Sequence, residues 1–65
     1  MWSRIAGAGL AEHSRPTGLR GDRLEVTADD ALWAGVLEVN ARDIVARIQA
    51  AHPGLGVRNL DVRVS

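Results

Sequence analysis

The chain has 65 residues, with eight Arg, no Lys and eight acidic residues, so its formal net charge is zero. It has no Cys, and 46% of its residues are hydrophobic against 25% charged. These figures exclude a second domain, a disulfide framework and a Cys-based zinc site. They leave little chain to wall off a pocket of roughly 300–1,000 Å³, and they argue against disorder and against bulk attraction to nucleic acid.

The first segment runs from Trp2 to about Ser14. Trp2, Ile5, Ala6, Gly9 and Leu10 recur at the spacing of one helix face. Gly7 and Gly9 each lower helix propensity by about 1 kcal/mol, which close approach to another backbone would explain. Pro16 disfavours helical backbone in the residue before it, so the helix is expected to stop before Arg15.

A hairpin follows. Leu24, Val26 and Ala28 alternate with Arg23, Glu25 and Thr27, the period-two pattern of a strand with one buried face. Gly21-Asp22 is a turn signal, which pairs this strand with a short one near Thr17–Arg20.

The third segment reads as one long helix from Ala31 to Ala51. Asp29 or Asp30 supplies the N-cap. Leu32, Trp33, Val36, Leu37, Ile44, Val45 and Ile48 keep the 3.6-residue period. Glu38 and Arg42 are spaced as an i,i+4 ion pair worth about 0.3 kcal/mol. Pro53-Gly54 breaks the helix beyond His52.

The tail, Val57 to Val64, alternates Leu60, Val62 and Val64 with Asp61 and Arg63, which predicts a final strand. The helix–strand–strand–helix–strand order predicts an α+β fold. It is a two-layer α-β-β-α-β sandwich with two helices on one face of a three-stranded sheet. A strand after a helical crossover is expected to run parallel to the one before it. The pattern leaves open which neighbour it pairs with.

Four blocks carry a family resemblance. They are Trp2-x-x-Ile5-Ala6-Gly7, Ala11-x-His13-Ser14-Arg15-Pro16, Gly21-Asp22-x-Leu24-x-Val26 and Leu32-Trp33-Ala34-x-x-Leu37. In this order and spacing, the chain resembles the DciA family across nearly all 65 residues. The resemblance implies one KH-like domain over 1–65. It implies a non-enzymatic adaptor without cofactors, which binds the DnaB-type replicative helicase and assists its loading on DNA in bacterial replication initiation. DNA, single- or double-stranded, is a second implied partner. No apolar run approaches the roughly 18 residues of a membrane span, and the N-terminus lacks a long signal h-region. No membrane partner and a cytoplasmic location, at the nucleoid during replication, are therefore expected. The oligomeric state is left open, with a monomer favoured. Family members often carry basic disordered tails, so this chain is expected to be a minimal member or part of a longer one.

Carried onto this sequence, the implied helicase contacts are Trp33 and Leu37. Trp33 also fits the core, being in phase with Val36 and Leu37. The alternative function is a small nucleic-acid-binding module acting through Arg15, Arg20 and Arg23 around the hairpin. Glu12, Asp22 and Glu25 are interleaved with them, so the patch is only weakly basic. Gly18-Leu19-Arg20-Gly21 spells the GxxG of nucleic-acid-binding KH domains. It falls in the predicted hairpin rather than between two helices, which makes it a plain turn. His13 and His52 are the only imidazoles, far apart in sequence, and suit the ends of helices better than a metal site.

Overall fold

The computed structural model describes residues 2–65. The first predicted helix is two short ones, α1 (Trp2–Ala6) and α2 (Ala8–Glu12). Gly7 separates them with φ +89°, a backbone conformation costly for a residue with a Cβ. A Cβ built at Gly7 or Gly9 would meet nothing within 4 Å, so close approach is not why these glycines are here. Gly7 is the break itself.

Strand β1 (Ser14–Arg20) begins three residues earlier than the sequence pattern places it. Pro16 is tolerated because β1 is an edge strand, where a missing N–H need cost no ladder bond. The register shifts between Pro16 and Gly18, leaving Thr17 as the extra residue. Strand β2 (Arg23–Ala28) has the predicted bounds and pairs antiparallel with β1 across the Gly21-Asp22 turn.

The long helix is also two. Helix α3 spans Ala31–Val39 and α4 spans Ala41–Ala51. Asp30 caps α3, its side chain accepting from the Trp33 backbone N–H at 3.0 Å. Asn40 forms the joint. Its side-chain Nδ2 donates to the Val36 carbonyl at 2.8 Å, an oxygen that also accepts from the Asn40 backbone N–H at 3.1 Å. Glu38 and Arg42 fall on either side of this joint. These two are not among the ion pairs of the described residues.

A short 3₁₀ turn, Pro53–Leu55, ends at Gly56, whose φ of +66° reverses the chain. Strand β3 (Asn59–Val64) then pairs parallel with β2, giving the order β1-β2-β3. This settles the neighbour that the sequence left open. Leu24, Val26 and Ala28 lie beside Leu60, Val62 and Val64, and these rows make the helix-facing side of the sheet.

The core joins both layers. It comprises Val26 and Ala28 from β2, Ala34 and Leu37 from α3, Ile44 and Ile48 from α4, with Ile5 and Val57. Burying each large aliphatic side chain contributes about 1.5–3 kcal/mol. Two polar contacts tie the periphery down. Arg47 Nη1 donates to the Ile5 carbonyl at 2.9 Å, closing the end of α1, and Gln49 Nε2 donates to the Val57 carbonyl at 2.9 Å.

Candidate functional site

The candidate contacts Trp33 and Leu37 have different fates. Leu37 has no exposed surface and belongs to the core. Its side chain fixes α3 to the sheet and reaches no partner in this fold. Trp33 is half-buried, packed against the core from its rim. Its imidazole neighbour is His13, at the C-terminus of α2. The two rings stack with centroids 4.3 Å apart and 8° between planes. His13 Nδ1 lies 3.2 Å from Asp29 Oδ2. The main chain repeats this link, since the Asp29 N–H donates to the His13 carbonyl at 2.8 Å.

The other tryptophan is engaged differently. Trp2 Nε1 donates to Ser14 Oγ at 3.2 Å, and Ser14 Oγ donates to the Leu10 carbonyl. Trp2 thus braces α1, α2 and the start of β1, as expected of a residue on the apolar face of the first helix.

The opposite flank of α3 holds residues that the periodicity assigned to the core or passed over. Leu32 is 71% exposed and Val39 is 84% exposed. At about 100° per residue, Leu32, Gly35, Val36 and Val39 fall within one flank about 100° wide. Trp33 lies between that flank and the buried side carrying Ala34 and Leu37. Ala31, Leu32, Gly35, Val36, Val39 and Asn40 line a shallow, mainly apolar hollow of about 440 Å³. A signal for it was present in the sequence. Leu32, Trp33, Val36, Leu37 and Val39 cover more of the helix circumference than one buried stripe requires.

Arg15, Arg20 and Arg23 are all exposed, but they do not form one cluster. Arg20 and Arg23 are cross-strand partners at the turn. Arg15 lies opposite Thr27 at the other end of the hairpin, roughly 16 Å away at about 3.3 Å per residue. The helix-free face of the sheet carries three rows. Arg20, Arg23 and Asn59 form one end, and Arg15, Thr27 and Arg63 the other. Between them run Glu25 and Asp61. Arg63 is drawn to this acidic row, with Nε 3.3 Å from Glu25 Oε2 and Nη2 3.5 Å from Asp61 Oδ2. Thr17 Oγ1 adds a 2.7 Å hydrogen bond to Glu25 Oε1. The acidic row divides the basic surface. Gly18, Leu19 and Arg20 are strand residues and Gly21 starts the turn, so this GxxG lies in a hairpin.

A family model described as "Dna[CI] antecedent, DciA" matches residues 1–62. This chain belongs to the DciA family. Among similar proteins is a UPF0232 protein of Mycobacterium tuberculosis (strain H37Rv). It is 38% identical over 62 residues, covering 95% of this chain and 33% of that protein. A UPF0232 protein of Mycobacterium marinum is 42% identical over 51 residues, covering 78% of this chain and 27% of its own length. One from Rhodococcus jostii is 40% identical over 50 residues, covering 77% and 27% respectively. The chain thus spans about a quarter to a third of the length of these DciA relatives. No helix among the described residues is long and apolar enough to cross a membrane.

Proposed function

We propose that this DciA-family chain is a cytoplasmic, non-enzymatic adaptor for the DnaB-type replicative helicase, and that it assists helicase loading on DNA through α3. The observation that carries the reading is the exposed apolar flank of α3 in a chain of this family. Leu32 and Val39 leave most of their surface in water although the core is closed without them. Apolar surface gathered in one place is a mark of a binding site. Trp33 at its border is the residue type that most often anchors protein interfaces. The order of a helix pair, a hairpin, a second helix pair and a parallel strand supports the KH-like reading, with the helices rather than the hairpin turned to the partner.

The test is a binding titration of the cognate replicative helicase against wild type and Trp33→Ala. The reading expects at least a tenfold loss, with the variant still folded by circular dichroism. Undiminished binding would remove Trp33 from the contact.

A second reading, nucleic-acid binding, is favoured by one pair. Arg20 and Arg23 sit opposite each other at the turn and take part in none of the ion pairs among the described residues. Two phosphate contacts on duplex DNA would give a log–log salt slope of about −1.8. A gel shift at ~50 and ~200 mM salt checks this, and no shift at low salt would exclude it.

A further inference from the structure

We propose that His13 is a positioning residue for the α3 docking surface, holding the Trp33 indole in the pose that the partner meets. The inference rests on the proposed reading of α3 and assigns a role to a residue outside that helix.

His13 is held at three points. Its backbone N–H donates to the Leu10 carbonyl at 3.2 Å, as the C-cap of α2. Its carbonyl accepts from the Asp29 N–H, and its Nδ1 lies 3.2 Å from Asp29 Oδ2. The imidazole and the carboxylate share a hydrogen bond there. That bond fixes the plane of the imidazole, and the fixed plane lies against the indole at 4.3 Å and 8°. Trp33 is held from its own side too, since its backbone N–H is taken by the Asp30 cap.

A helix cap needs only the His13 backbone. The parallel stack and the carboxylate that orients it are what a cap does not require. His13 and Asp29 side chains are 40% and 48% exposed, so the pair adds little to core burial. Its effect falls on the indole. One ring face is covered by the imidazole, and the ring is denied other rotamers before a partner arrives. Binding then incurs less ordering cost, an effect of about three- to tenfold in affinity for one large side chain.

The experiment uses His13→Ala and His13→Leu, which remove the planar ring, and His13→Phe, which keeps a ring but loses the Asp29 bond. Helicase affinity is titrated for each. NMR of the free chain follows the Trp33 ring protons, which stacked rings shift, together with the Leu37 and Ile44 methyls. The expected result is a three- to tenfold weaker complex for His13→Ala and His13→Leu. Displaced Trp33 ring signals and unmoved core methyls should accompany it, with His13→Phe, which keeps the stack without the Asp29 anchor, falling between these variants and wild type. Helicase affinity unchanged in His13→Leu, while Trp33→Ala still weakens it, would overturn the role of His13 and leave the α3 reading standing. Equal loss in His13→Phe and His13→Leu would also overturn it, because planarity would then not matter. A helicase that binds wild type and Trp33→Ala equally would overturn both.

Discussion

Helices α3 and α4 come from one continuous apolar period in the sequence, yet they meet water differently. Helix α4 buries Ile44 and Ile48, packs Val45 against the core and exposes Arg42, Asp43, Arg47 and Gln49, so its large apolar side chains serve the core. Helix α3 buries Ala34 and Leu37 on one side and leaves Leu32 and Val39 exposed on the other. The difference separates two uses of hydrophobic side chains. The α4 pattern is what a small two-layer fold needs to close. The surplus on α3 leaves Leu32 and Val39 in water, apolar surface that the proposed docking would bury.

The largest effects should come from the buried sides of both helices. Leu37→Ala and Ile44→Ala should each cost about 2–5 kcal/mol in urea unfolding, a large fraction of the stability of a domain this size. Equivalent losses would show that the two helices contribute alike to the core. A Leu37→Ala cost below about 1 kcal/mol would mean that α3 is not held as described.

The start of α3 comes next. Asp30→Ala removes the side-chain acceptor from the Trp33 N–H and should cost about 1 kcal/mol, read as a lower thermal midpoint. At the joint, Asn40→Ala loses the bond to the Val36 carbonyl and gains helix propensity. The two nearly offset, so stability should change by less than about 1 kcal/mol. The smallest effect belongs to the exposed flank. Leu32→Glu and Val39→Glu should each stay within about 0.5 kcal/mol of wild type. A larger loss from either would mean that the flank serves the fold after all.

Where local pattern decides structure, the sequence was legible. Strand β2 was bounded by strict alternation and a turn, and Asp30 was one of two candidates for its helix cap. The breaks at Gly7 and Asn40 were hidden because the apolar period runs through both. Both breaks are changes of backbone angle at one residue, Gly7 and Asn40 respectively, which periodicity does not show. Strand β1 reached back to Ser14 because Pro16 could sit on an edge, and edge position is a property of the assembled sheet. Of the site, Trp33 was visible as a residue but not its partner. The stack on His13 joins residues 13 and 33 through tertiary structure, which spacing along the chain does not encode. Leu37 looked equivalent to Trp33 on a helical pattern, and only the fold shows one inside and the other at the rim.

The central claim is that the exposed flank of α3 is a docking surface. Its most direct test is the affinity of the cognate replicative helicase for the Leu32→Glu/Val39→Glu double variant, measured by calorimetry beside its unfolding midpoint. The account predicts at least a tenfold weaker complex with the midpoint nearly unchanged. Wild-type affinity in the folded double variant would contradict it.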